Sequence, residues 1–99
     1  MREAPELNRL RRGLVLATLA ANYPHQVADG LLYRQVKSYY PSDAPQFGRD
    51  VAYLAERGYL DATEDRVRGS VVKSYRITAA GIDLVERTSN DPGVEFEDL

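Results

Sequence analysis

Leu7, Leu10, Leu14 and Ala17 recur at helical spacing, and Val15, Leu16 and Leu19 widen the apolar stripe after Gly13. The pattern predicts a long first helix from about Pro5, a residue suited to a first turn because its missing N–H costs nothing there. Asn22 and Pro24 end it, with Asn able to take a left-handed cap. Asp29 is placed to cap a second helix, with Leu31, Leu32, Val36 and Tyr39/Tyr40 inward and Arg34, Gln35 and Lys37 outward. Pro41 closes that helix, since the residue before a proline is pushed out of the helical region.

Asp43-Ala44-Pro45-Gln46 then reads as a capping box opening a third helix. Phe47, Val51 and Leu54 face inward from it, and Gly58 stops it. Tyr59 to Thr63 reads as a strand, Glu64 to Ser70 as a polar hairpin tip, and Val71 to Thr78 as the returning strand. Alternation puts Val71, Lys73, Tyr75 and Ile77 on one strand face. Thr78 caps a last short helix with Ile82 and Val85 inward. From Thr88 the composition turns to Ser, Asn, Asp, Pro and Gly and then to acids, which predicts a flexible acidic tail over 88–99 behind a single domain at 1–87.

Ninety-nine residues with 43% hydrophobic and 28% charged side chains fit one small globular domain. The absence of Cys excludes disulfides and thiolate chemistry. The longest uncharged apolar stretch, residues 13–23, is far shorter than the ~20 residues of a membrane span. The first six residues lack the apolar core of a signal peptide, so a cytoplasmic location is expected. The formal charge of −2 is unevenly spread: residues 1–87 carry thirteen bases and eleven acids, while 88–99 carry four acids and no base.

Catalysis is not expected. His25 is the single His, so no ordinary metal site can form around it, and no serine sits in a nucleophile motif. No phosphate-binding loop or dinucleotide fingerprint is present, and no cofactor is implied.

Two helices joined by a short link and followed at once by a hairpin form a specific order. Leu54-Ala55-Glu56-Arg57-Gly58-Tyr59-Leu60 resembles the end of the recognition helix, its terminating Gly and the entry to the wing of the winged helix-turn-helix family. Tyr75 to Leu84, with Thr78 as cap and Gly81 three residues on, resembles that family's return strand and last helix. The resemblance covers roughly residues 6–87, and the layout is also similar to small winged-helix proteins of Mu-like phages and prophages. It implies an α+β winged-helix fold: a three-helix core, a two-stranded wing and a C-terminal helix.

The resemblance further implies double-stranded DNA binding by a small transcriptional regulator or phage accessory factor. A recognition helix at about 44–57 would enter the major groove, and a wing at 64–70 would meet the backbone or minor groove. Gln46, Arg49, Tyr53 and Arg57 are the helix candidates, because Gln suits adenine and Arg suits guanine through paired hydrogen bonds. Arg66 and Arg68 are the wing candidates, and Arg34 and Lys37 on the second helix would hold phosphates. Asp50 departs from that pattern, since a carboxylate is repelled by phosphates. Arg9, Arg11 and Arg12 could touch DNA flanks or balance the acidic tail. A homodimer through helix one, the C-terminal helix or both would supply two half-sites. The competing reading is a protein-interaction module without DNA contact, favoured by Asp50, Glu64, Asp65 and the seven tyrosines.

Overall fold

A computed structural model describes residues 3–97. It contains helix α1 (Ala4–Ala21), strand β1 (Val27–Ala28), helices α2 (Asp29–Tyr39) and α3 (Ala44–Glu56), strands β2 (Leu60–Val67) and β3 (Ser70–Ile77), and helix α4 (Ala79–Val85). The architecture is α+β, with four helices and an antiparallel three-stranded sheet ordered β1-β3-β2.

α1 is central. Leu10, Val15, Leu16 and Leu19 are buried, Pro5 lies in the first turn, and Asn22 closes the helix in a right-handed conformation, not the left-handed one expected. α3 carries the capping box in both directions: the Asp43 side chain accepts from Gln46 N at 2.8 Å, and Asp43 N donates to Gln46 Oε1 at 3.0 Å. Phe47, Val51 and Leu54 are buried as the spacing required. Gly58, at φ +77°, turns the chain out of α3 into β2, a conformation that favours glycine.

α2 departs from expectation on its inner face. Leu32 and Val36 are buried, and Tyr40 just beyond continues their stripe. Leu31 and Tyr39 remain 57% and 64% exposed: Leu31 lies ~100° around the helix from Leu32, and Tyr39 is the last helical residue. Asp29 does not cap the helix. Its carboxylate accepts from the Tyr75 hydroxyl at 2.6 Å, tying the start of α2 to β3. The same junction carries β1, whose two residues pair Val27 with Tyr75 and Ala28 with Ser74.

The hairpin strands are longer than the polar sequence implied. β2 and β3 pair from Leu60↔Ile77 to Val67↔Ser70, leaving Arg68 and Gly69 as a two-residue turn at φ +52° and +83°. Positive φ at both central residues is the hairpin geometry whose twist matches the strands. Leu60, Tyr75 and Ile77 enter the core, whereas 61–71 is exposed throughout, so polar side chains cost the outer ladder nothing. Thr78 caps α4 as expected, accepting from Gly81 N at 3.2 Å and donating to the Gly58 carbonyl at 2.6 Å.

The segment expected to be a free tail is packed against the body over 91–97. Val94 is buried in the main core and Phe96 packs beside it. Glu95 N donates to the Arg9 carbonyl at 3.1 Å, and a Cβ on Gly13 would stand only 1.8 Å from the Glu95 carbonyl oxygen. Glycine at 13 lets the chain lie directly on the α1 backbone. Composition foretold the polarity of this strap but not its seat, because one Val and one Phe suffice to anchor it.

Candidate nucleic-acid interface

The outer face of α3 is built from short side chains. Ala44, Gly48, Ala52 and Ala55 are exposed and form one wall of a groove of about 560 Å3, whose opposite wall is the hairpin at Ala62 and Lys73. Arg49 is exposed on the same helix. Period-two alternation sorts the charges of the hairpin. Glu64↔Lys73 and Arg66↔Val71 share the face of Ala62↔Tyr75, while Asp65↔Val72 lies on the other. Lys73 Nζ stands 3.8 Å from Glu64, which leaves Arg66 as the unpaired charge on the groove side. Arg68 occupies the turn.

Arg34 and Lys37 are exposed on α2, with Lys37 Nζ 5.6 Å from the centre of the Tyr33 ring. Tyr33 in turn packs on Phe47 of α3, ring centres 5.2 Å apart, so Lys37 borders the N-terminal half of α3. Among the described residues, Arg34, Arg49, Arg66 and Arg68 make no ion pair. Four uncompensated guanidinium groups on α2, α3 and the hairpin are suited to phosphates and base edges.

Three other expected positions are engaged elsewhere. The Gln46 carbonyl is held by the capping box, so the paired donor–acceptor contact to adenine is not free. Tyr53 is half-buried, its ring lying between the Arg12 guanidinium at 4.1 Å and that of Arg57 at 5.2 Å. Arg57 donates to the Tyr53 hydroxyl at 3.1 Å and stands 3.8 Å from the Asp91 carboxylate. Tyr53 and Arg57 therefore belong with the strap and not with the groove.

Asp50, expected outside, is buried. It accepts from Arg11 Nε at 2.8 Å and from Arg12 Nε at 3.2 Å. Arg11, expected on a solvated face, is buried beside it and also reaches the Asn8 side chain. The carboxylate that counted against a nucleic-acid face is thus removed from it.

The strap forms the second charged cluster. Asp91 accepts from the Tyr59 hydroxyl at 2.5 Å and from Gly93 N at 2.7 Å. Burial pushes its carboxyl upward, but the Tyr59 and Gly93 donors and the charges of Arg57 and Arg12 outweigh it, holding the group below the usual carboxylate range. The Tyr59 hydroxyl is pushed up, first by its bond to Asp91 and then by burial. Arg12 donates to the Gly93 carbonyl at 3.1 Å, Arg9 pairs with Glu95 at 2.9 Å, and the Tyr40 hydroxyl donates to Glu97 at 2.5 Å. Of the two roles open to Arg9, balancing the acidic segment is the one its contact with Glu95 displays, whereas Arg12 takes its ionic partner from α3.

Among the described residues no group of His, Asp and Glu is arranged to hold a metal ion, and no helix is long and apolar enough to cross a membrane. No protein-family model matches the chain, and no curated protein matches it at a significant level. Solved structures that share its fold include two at low sequence identity. A transcriptional regulator from Clostridium thermocellum, Cth-833, superposes with a TM-score of 0.70 at 14% identity, over 89% of this chain and 84% of that one. The protein smu.1704 from Streptococcus mutans UA159 superposes with a TM-score of 0.66 at 16% identity, over 81% of this chain and 76% of that one.

Proposed function

We propose that this chain is a small winged-helix transcriptional regulator that binds double-stranded DNA with sequence preference in the cytoplasm, by binding chemistry alone and without catalysis. One observation carries the reading: the unpaired Arg34, Arg49, Arg66 and Arg68 lie on the elements that bound one open groove, α2, α3 and the hairpin. α3 is the recognition helix. Its short outer side chains let the helix backbone approach the floor of the major groove, where Arg49 reaches a guanine edge. Arg66 and Arg68 hold the backbone or minor groove, and Arg34 and Lys37 hold phosphates. Likeness of fold to a transcriptional regulator supports the reading.

Two copies bind together in this reading. A trough of about 690 Å3 between α1 and α2, floored by Leu14, Ala17 and Val27 and flanked by the exposed Leu31 and Tyr39, is the seam.

Fluorescence anisotropy against mixed duplexes at two salt concentrations tests the proposal. Four to five phosphate contacts predict a logarithmic salt slope of about −4. Arg49→Ala should flatten discrimination between sequences by about 1–3 kcal/mol, and Arg66→Ala should weaken all duplexes alike. The second reading, a module on which a partner protein's helix packs, is favoured by the small-residue wall Ala44, Gly48, Ala52 and Ala55. Absence of duplex binding at low salt decides for it.

A further inference from the structure

The strap covers cations that the groove does not use. Arg12 and Arg57 flank one ring, that of Tyr53, and Arg9 stands one helical turn before Arg12. Arg12 is also paired with Asp50, so Arg9 and Arg57 are the two whose charge the strap alone compensates. Each of the three is met by an oxygen of the strap: Glu95 carboxylate on Arg9, Gly93 carbonyl on Arg12, Asp91 carboxylate near Arg57. The strap has no helix or strand of its own, and its approach (Glu86 to Asn90) is exposed. An extended segment that sets two carboxylates and a carbonyl on three arginines presents them with what a phosphate backbone would present.

We propose that residues 91–97 are an intramolecular competitor for nucleic-acid phosphates, and that release of the strap adds Arg9 and Arg57 to the DNA contact surface, Arg12 staying paired with Asp50. The inference rests on the DNA-binding reading above and concerns its regulation. The seated strap keeps the protein selective, because the remaining contacts depend on α3 and the hairpin. The released strap gives tighter binding with less sequence preference, since the added contacts read only phosphate.

Two glycines allow the strap to be displaced without altering any charge. A Cβ at Gly13 would stand 1.8 Å from the Glu95 carbonyl oxygen, and one at Gly93 would stand 1.9 Å from the Tyr53 hydroxyl. Gly13→Ala also favours the α1 helix itself, so loss of the helix is not the result. The experiment compares wild type, Gly13→Ala and Gly93→Ala in anisotropy titrations with a mixed-sequence duplex between 50 and 200 mM salt. Amide exchange over 91–97 is followed in parallel.

With about 0.9 counterion per contact, two added contacts steepen the logarithmic salt slope by about 1.8, so the affinity lost across that range grows by about 12-fold over wild type. Arg9→Gln with Arg57→Gln in the Gly13→Ala background should remove the extra slope. Equal slopes in all three proteins with the strap exchanging freely would overturn the competitor and leave the recognition reading intact. A strap still protected in both variants would overturn it too, because the packing it depends on would be wrong. Duplex binding by none of the three proteins removes the DNA reading itself.

Discussion

Arg11 and Asp50 meet across the α1–α3 contact at 2.8 Å with each side chain only 3% exposed. A charge pair this dry is held because neither partner can be solvated alone, and it fixes the rotation of α3 against α1. That rotation decides which residues of α3 point outward, and so places Ala52 and Ala55 on the groove wall and leaves Arg49 exposed.

Asp50→Ala therefore leaves two guanidinium groups facing an empty site. Removing one partner of a buried pair costs about 3–5 kcal/mol. Chemical denaturation should show a loss of that order, whereas Arg11→Met combined with Asp50→Leu should recover most of it. A loss under 1 kcal/mol for the single variant would place the pair in solvent.

The strap responds to pH through Asp91. Its carboxyl lies below the usual range in the folded chain, so its stabilisation is present above the unfolded value near 4 and is lost as pH falls through the lower folded value. Amide protection at Gly93 and Val94 should disappear in acid before the helices unfold. Tyr59→Phe removes one of the donors that hold Asp91 down and should move this loss to higher pH. Protection insensitive to pH between 2 and 5 would refute the assignment.

The hairpin turn places Arg68 at φ +52°, a region that costs a non-glycine residue about 1 kcal/mol. Asn before Gly is the favoured pair for this turn. Arg68→Asn should raise unfolding stability by roughly that amount while weakening duplex binding, a trade expected where backbone strain is kept for contact. A variant both more stable and equally tight would remove Arg68 from the interface.

Gln46→Ala breaks one arm of the capping box and should cost about 0.5–1 kcal/mol of stability. Because its carbonyl serves Asp43, sequence discrimination in anisotropy titrations should stay within twofold of wild type. A larger loss would return Gln46 to the base-reading set.

Most of the fold was legible from spacing and punctuation. Asp43 and Gln46 at three apart, Gly58 after Arg57, and Thr78 before Ala79 mark boundaries by backbone chemistry, which acts locally. β1 was not legible, since two residues carry no period. The strap was missed because its anchors are single residues whose partners lie far away in sequence, Gly13 and Tyr53. The burial of Arg11 and Asp50 could have been seen. Arg11 stands four residues from both Leu7 and Val15, and Asp50 three from Phe47 and four from Leu54, so each falls on an inward stripe with opposite sign. Reading charge as exposure hid that pair. On the candidate surface, Arg49, Arg66, Arg68, Arg34 and Lys37 are exposed, and Tyr53, Arg57 and Gln46 are drawn elsewhere by partners no spacing rule reveals.

Glu95 reaches Arg9 across eighty-six positions of sequence. During synthesis the opening helix must therefore wait, with Gly13 bare and the cleft for Val94 vacant, until residues 91–97 have been made. Nascent chains stalled short of that point should be caught readily by chaperones and proteases.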